Sequence, residues 1–221
     1  MKVCTDACLF GAWVANKLEQ NEITPNKIMD IGCGTGLLSM MLAQKTTVKV
    51  DAIEINADAY LQATENIDSS YFKNQIQTFH GPIEYFASHE KYDFIICNPP
   101  FYINQLNSPK ADRNTAMHYT GLSFENLILS IKNNLSSSGK AAILLPFEFI
   151  NKIEMIAKAN NYFITERLNV QHSPTHSFFR SIIIISSILS FKKETNIYIK
   201  DVSGNYSIDF IDLLKDYYLY L

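Results

Sequence analysis

The fold is decided by one short stretch, Lys27-Ile28-Met29-Asp30-Ile31-Gly32-Cys33-Gly34-Thr35-Gly36. Its first half is mainly apolar and predicts a strand, and the alternating glycines predict a tight turn. A helix is expected to follow over residues 37–44. Because glycines let the backbone approach a ligand and a helix N-terminus offers free amides, this combination predicts a cradle for a nucleotide-type ligand.

The spacing of the glycines and the position of the next acidic residue indicate which class of ligand the turn binds. A dinucleotide site has the spacing Gly-x-Gly-x-x-Gly, whereas these glycines alternate, which suits a ligand without a pyrophosphate. The next predicted strand, residues 48–54, ends in Glu54, at the place where a ribose-binding carboxylate belongs in a doubly wound fold. The alternative role for Glu54 is to cap the helix predicted over 57–68, but Asn56 could fill that role instead.

The remaining pattern alternates between strands and helices. Strands are predicted at 75–80, 92–97 and 141–145, and helices at 7–20, 122–135 and 147–159, with Asp6 as N-cap of the first helix. Residues 136–139 are predicted to close the 122–135 helix. This alternation indicates a parallel sheet. The end of the chain departs from this alternation. Two strands, predicted at 162–170 and 180–191, are joined by a polar loop, 171–179, which indicates an antiparallel pair.

A second motif, Asn98-Pro99-Pro100-Phe101-Tyr102, follows the fourth predicted strand. Successive prolines remove two backbone donors and restrict Asn98 to an extended conformation, so the loop is stiff. The Asn98 amide oxygen and the Pro99 carbonyl could then accept hydrogen bonds from one amino group. Phe101 and Tyr102 could stack on a planar group such as a nucleobase. Taken alone, the motif is equally compatible with an ordinary turn.

Composition limits the class of protein. A chain of 221 residues, 47% hydrophobic and 19% charged, predicts one domain with a substantial core. A net charge of -3 argues against coating nucleic acid electrostatically, so any such contact must be local. The four cysteines lack zinc or disulfide spacing, and we find no signal peptide or bilayer-spanning run. We therefore expect a cytoplasmic protein without membrane contact.

With these residues placed, the chain resembles the class I S-adenosylmethionine-dependent methyltransferases. It is more closely similar to the bacterial methyltransferases that modify N6 of adenine 37 in a valine tRNA. The resemblance runs from end to end. It rests on Lys2-Val3, Thr5-Asp6, Leu9-Phe10-Gly11-Ala12-Trp13, the 30–36 turn, Glu54, Asn98-Pro99-Pro100-Phe101 and Tyr217-Tyr218-Leu219.

The resemblance implies a Rossmann-like α/β fold with a seven-stranded mixed sheet, helices on both faces and a C-terminal antiparallel hairpin. It implies a single domain over 1–221, in which 1–22 cover the cofactor site and 192–221 form a C-terminal extension. The implied catalytic residues are Asn98, Pro99, Pro100 and Phe101. The implied ligands of S-adenosylmethionine are Lys2, Thr5, Asp6, Asp30, Gly32, Gly34, Gly36, Glu54, Ile55, Ile83 and Asn98. The implied substrate contacts are Tyr102, Arg113, His118 and Arg180, and no metal is implied.

The chain departs from the family pattern at two places. Pro82 stands where many of these enzymes have an acid on the cofactor's adenine, so a backbone contact from Ile83 and packing by Phe79 are the expected substitutes. Ala116-Met117-His118 stands where the family has Ala-Arg-His, and Arg113 is the candidate replacement for the missing arginine.

The chemistry accounts for these residue types. An exocyclic adenine nitrogen is a poor nucleophile until acceptors draw on its N–H bonds, and an oriented displacement needs neither a strong base nor a metal. The histidines, including His172 and His176, are therefore interpreted as having no catalytic role. The target base is inaccessible in a duplex but accessible in a single-stranded anticodon loop, so a folded tRNA is the expected partner.

Three alternatives remain open at this point. Protein glutamine N5-methylation poses the same electronic problem, although those enzymes usually carry Tyr after the prolines and an added N-terminal domain. Guanine N2-methylation of ribosomal RNA is a second enzymatic alternative. An inactive scaffold with this fold would be expected to lose the glycine turn or the amide-proline loop, and both are intact.

Overall fold

The computed structural model describes residues 4–86, 88, 90–100 and 122–221. Eight strands and six α-helices occur in these ranges. In chain order they are α1 (Thr5–Glu19), β1 (Lys27–Ile31), α2 (Leu37–Ala43), β2 (Lys49–Glu54), α3 (Ala57–Asp68), β3 (Ile76–His80), β4 (Tyr92–Cys97), α4 (Phe124–Asn134), β5 (Leu135–Pro146), α5 (Ile150–Ala159), β6 (Phe163–Gln171), β7 (Phe178–Ser186), β8 (Lys193–Tyr198) and α6 (Ile208–Leu214).

All eight strands form one sheet in the order β3-β2-β1-β4-β5-β7-β6-β8. Every neighbouring pair is parallel except those that involve β7, which runs antiparallel to both β5 and β6. The α/β class, the mixed sheet and the antiparallel β6–β7 hairpin are therefore confirmed. The expected number of seven strands is wrong, because β8 in the C-terminal segment adds a parallel edge strand to β6.

Three element boundaries also differ from the prediction. Helix α1 begins at Thr5 and has Cys4 rather than Asp6 at its N-cap. Strand β5 begins at Leu135, so residues 136–139 continue a strand instead of closing a helix as a loop. Strand β7 ends at Ser186 rather than at Phe191, where its pairing with β5 also ends.

The sheet separates two apolar cores, which is why most of its strands are buried on both faces. Side chains of α1, α2, α3 and α6 contribute to one core. Side chains of α4 and α5 contribute to the other core. Helices thus cover both faces of the sheet, as predicted. No helix within the described ranges is long and apolar enough to cross a membrane.

Candidate active site

Three predicted motifs meet at one edge of the sheet. Ile31, at the end of β1, pairs with Ile53 of β2 on one side and with Cys97 of β4 on the other. Glu54, the glycine turn and Asn98 therefore lie at the carboxyl ends of adjacent parallel strands. Adjacent strands are about 4.8 Å apart, so a single ligand can contact all three, and open α/β sheets bind ligands at this edge.

Glu54 organises the glycine turn. The side chain is only 7% exposed, and its Oε2 accepts a hydrogen bond from the Gly34 amide at 2.8 Å. Its Oε1 accepts a hydrogen bond from the backbone amide of Asn56 at 2.8 Å. Asn56 caps α3 by accepting from Ala59 N at 2.9 Å, so the capping role predicted as the alternative for Glu54 belongs to Asn56. The Glu54 carboxylate is left to hold the turn.

Gly36 cannot readily be replaced in this turn. Its φ is +83°, in the left-handed region, and a Cβ there would lie 3.2 Å from Cδ1 of Ile67. It also precedes the first residue of α2. The backbone conformation and the close packing against α3 together explain why glycine occupies this position.

Asp30 provides an unsatisfied acceptor behind the turn. The residue is fully buried, and Oδ2 accepts hydrogen bonds from Ser39 N at 3.1 Å and Ser39 Oγ at 2.7 Å. Oδ1 is also buried and accepts no hydrogen bond from any residue in the described ranges. A buried acceptor without a partner is costly, and a cationic group of a ligand would satisfy it. The residues present therefore fit S-adenosylmethionine, which carries a sulfonium and an ammonium group.

The protonation of Asp30 gives a testable pH dependence. Burial raises the pKa of Asp30 to about 7, against the opposing effect of the Ser39 hydrogen bonds. The folded protein then holds a proton that the unfolded chain releases near pH 4. The free energy of unfolding should consequently fall by up to about 4 kcal/mol between pH 4 and pH 7.

Urea denaturation of wild type and Asp30→Asn across this pH range measures the effect, since the substitution removes the titrating group and keeps its shape. The difference between the two proteins should grow in favour of Asp30→Asn as pH rises. Parallel profiles for the two proteins would contradict the assignment.

Asn98 is half-buried between the buried Cys97 and Pro99, and Pro100 is exposed. No hydrogen bond to the Asn98 side chain occurs among the described residues. Burial raises the pKa of the neighbouring Cys97 thiol well above its ordinary value. Because only a thiolate is a competent nucleophile, Cys97 is a packing residue and Asn98 is the polar group at this strand end.

The structure joins two predicted site residues to each other. Asp6, in the first turn of α1, accepts a hydrogen bond from Arg180 Nε of β7 at 2.8 Å and forms an ion pair with it. Arg180 pairs with Pro146 at the carboxyl end of β5. The pair therefore holds the start of α1, including Thr5, at the same edge of the sheet as Asn98. The sequence contained no signal for this pairing, because the two residues are 174 positions apart.

The other predicted site residues have varied environments. Ile55, next to Glu54, is 63% exposed, whereas Ile83 is buried at 6%. Phe79 contacts Phe86 edge-on at 5.1 Å between ring centroids. Lys2, Phe101, Tyr102, Arg113 and His118 lie outside the described residues. Ser39 was missed by the sequence analysis, although a buried strand acid such as Asp30 signals that a donor must lie nearby.

The described part of the chain contains no group of three or more His, Cys, Asp or Glu side chains that could hold a metal ion.

Comparison with protein families identifies the fold and the family. A family model described as "Methyltransferase small domain" matches residues 11–165. The structure is similar to that of a predicted O-methyltransferase of Agrobacterium tumefaciens, with a TM-score of 0.73, 16% identity and 95% coverage of both chains. It is also similar to the glycopeptide N-methyltransferase MtfA complexed with S-adenosylmethionine, with a TM-score of 0.57, 8% identity and coverage of 79% of this chain and 86% of MtfA.

Curated relatives cover almost the whole chain. A protein of Dyadobacter fermentans is 37% identical over 99% of this chain and 91% of its own length. A protein of Parabacteroides distasonis is 36% identical over 99% and 91%, and one of Shewanella halifaxensis is 34% identical over 100% and 94%. All three are named tRNA1(Val) (adenine(37)-N6)-methyltransferase. This chain belongs to that family of S-adenosylmethionine-dependent methyltransferases.

Proposed function

We propose that this protein transfers the methyl group of S-adenosylmethionine to the exocyclic N6 of adenine 37 in the anticodon loop of a valine tRNA. The proposal rests on one observation. Asn98 follows β4, the glycine turn follows the neighbouring strand β1, and Glu54 at the end of β2 accepts a hydrogen bond from that turn. An amide and a cofactor cradle at this separation suit methylation of an amino group. The names of the relatives supply the substrate.

The cofactor-binding roles are proposed residue by residue. Gly32, Gly34 and Gly36 form the cradle, Glu54 binds the ribose hydroxyls while it holds the turn, and Asp30 satisfies its free Oδ1 with a cationic group of the cofactor. Thr5 and Asp6 close the site from the first turn of α1, with Lys2 preceding them. Ile55 and Ile83 flank the adenine. When bound, S-adenosylmethionine supplies a methyl group on an electron-poor sulfonium.

The catalytic role belongs to the strand end after β4. The Asn98 amide oxygen and the Pro99 carbonyl accept from the two N6 hydrogens, which increases the electron density available on nitrogen. The buried Pro99 ring and the fixed φ of both prolines keep these acceptors in position. Orientation of this kind is worth up to about 7 to 11 kcal/mol of the barrier. The nitrogen gains the methyl group and loses one proton, which passes to solvent.

The substrate is proposed to be a folded tRNA in the cytoplasm, with the base presented by a single-stranded loop. Phe101 and Tyr102 are proposed to stack on it, and Arg113, His118 and Arg180 to contact the RNA. No metal is required for this chemistry. The relatives' names give no support to glutamine or guanine as the target.

The decisive experiment offers the purified protein a transcribed valine tRNA and labelled S-adenosylmethionine, followed by digestion to nucleosides. N6-methyladenosine is expected, and its formation should be lost when guanine replaces adenine 37. Label in N2-methylguanosine, or in protein glutamine when a peptide substrate is supplied, would overturn the proposal.

A further inference from the structure

Two stacked rings stand at the sheet edge beside the candidate site. His172 follows the end of β6, and Phe179 is the second residue of β7. The imidazole and phenyl rings are parallel within 7°, with centroids 3.9 Å apart. Phe179 also packs against the core formed by α1, α2, α3 and α6. One face of the imidazole is thus covered by Phe179, while the His172 residue as a whole is exposed.

Contacts with neighbouring residues order the imidazole of His172, although this residue is exposed. His176 contacts it edge-on, with centroids 6.1 Å apart and planes at 79°. His176 is itself fixed by a 2.7 Å hydrogen bond between its Nδ1 and Ser173 Oγ. The His172 carbonyl accepts from the Lys200 amide at 2.9 Å, which anchors the loop to the segment after β8. A flat ring that is already ordered loses little entropy on binding.

The position of the ring pair relates it to the target base. In the order of the sheet, β7 is two strands from β4 and β6 is three strands from it. At about 4.8 Å per strand, the rings lie roughly 10 to 15 Å from the strand end that carries Asn98. A base bound at Asn98 would place its neighbours in the RNA chain at this distance.

The surroundings favour nucleic acid over an apolar partner. Arg180 lies beside the pair, with its guanidinium 5.6 Å from the Phe179 ring centroid. Lys200 lies over the Tyr206 ring at 6.0 Å on the adjoining segment. Aromatic faces interleaved with cations are how proteins bind unpaired nucleotides, because the ring stacks on a base while the cations approach phosphates.

We propose that the imidazole of His172, backed by Phe179, is a stacking platform for a nucleobase adjacent to the target adenine in the tRNA loop. The inference rests on the proposed function and assigns a binding role to a residue that has no part in the chemistry. His172 is a positioning residue: it holds the loop in register so that N6 reaches Asn98.

The test compares steady-state methylation of tRNA by His172 variants with independent measurement of cofactor affinity by calorimetry. His172→Ala should raise the KM for tRNA about tenfold, the loss expected for one stacked base, with kcat and cofactor affinity unchanged. His172→Phe keeps a flat ring and should restore the KM. His172→Lys keeps a cation without a ring and should behave like His172→Ala. Tyr71→Ala, which removes a fully exposed ring before the amino end of β3, is the matched control and should leave the KM unchanged.

Abasic substitution in the RNA locates the contact. Removing the base that stacks on His172 should raise the wild-type KM, and His172→Ala should then add nothing further, because the two changes remove the same interaction. An unaltered KM for His172→Ala, or restoration by Lys and not by Phe, would overturn the platform alone. Absence of N6-methyladenosine with the wild-type protein would instead overturn the proposed function and the inference with it.

Discussion

The Asn98→Ala protein should lose about 100- to 1,000-fold in kcat, the loss typical when one preorganised group that stabilises a transition state is removed. Its affinity for S-adenosylmethionine should fall far less than its kcat, because Asn98 is one of many implied ligands of the cofactor. A second reason is positional: the glycine turn is held by Glu54 and by the Ile53 carbonyl, and neither contact involves Asn98. Single-turnover methylation of tRNA and calorimetric titration of the cofactor measure the two quantities separately.

Asn98→Asp separates hydrogen-bond acceptance from side-chain charge. The aspartate keeps acceptor oxygens but loses the amide donor and adds a negative charge, so activity between wild type and Asn98→Ala would assign the dominant role to acceptance. Asn205→Ala, on an exposed turn far along the chain, is the control for removing an asparagine and should retain full activity. Unchanged kcat in Asn98→Ala would require abandoning the proposed role of this residue.

The core of the fold could be predicted because its sequence pattern is strong. Strands β1, β2 and β4 are short, mainly apolar runs: β1 ends just before a glycine, β2 ends at an acid, and β4 ends two residues before a proline, so each boundary has its own chemical cause. The predicted 57–68 helix coincides with α3, where Asn56 gives a recognisable cap. These elements depend mainly on local residues, which is why the sequence identifies them.

Strand β8 and the first part of β5 were not predicted, because they depend on partners far away in sequence. Strand β8 has one buried residue, Ile197, in six, and without the pairing to β6 its polar pattern resembles a loop. The serine-rich start of β5 resembles a helix-terminating turn, yet Leu135 pairs with Tyr92, and Ser136 Oγ donates to Asp93 Oδ1 at 2.9 Å. Tertiary pairing overrides local propensity in both segments.

The candidate site likewise has features that the sequence predicts and features that it does not. The positions of Gly32, Glu54 and Asn98 at adjacent strand ends follow from the βαβ order, because parallel strands present their carboxyl ends at one edge. The Asp6–Arg180 pair and the His172–Phe179 stack do not follow from it. Each joins elements whose relative placement is set by packing around the antiparallel β7, and each adds to the surroundings of the site without changing its location.

Glu54→Ala should produce the largest loss of cofactor affinity, together with a loss of stability. The substitution leaves the Gly34 and Asn56 amides without their acceptor. Since hydrogen bonds to charged groups contribute about 1.5 to 3 kcal/mol each, the loss of two such bonds should lower the free energy of unfolding by about 3 to 6 kcal/mol. The cofactor Kd should rise at least about 100-fold, because the proposed ribose contact and the shape of the turn are both lost.

Asp51→Ala is the control for Glu54→Ala, because it removes a buried acid that lies outside the candidate site. Asp51 is a similarly buried acid on the same strand, 8% exposed against 7% for Glu54. It accepts from Tyr92 Oη at 2.6 Å and pairs with Lys27 at 3.1 Å, away from the glycine turn. Both variants should unfold at lower urea concentrations than wild type, because each removes a carboxylate that accepts from a buried donor. Only Glu54→Ala should lose cofactor affinity when calorimetry is performed at a temperature where both variants are fully folded. Equal affinities in the two folded variants would place the cofactor elsewhere, because a cradle held by Glu54 cannot keep its shape once that carboxylate is gone.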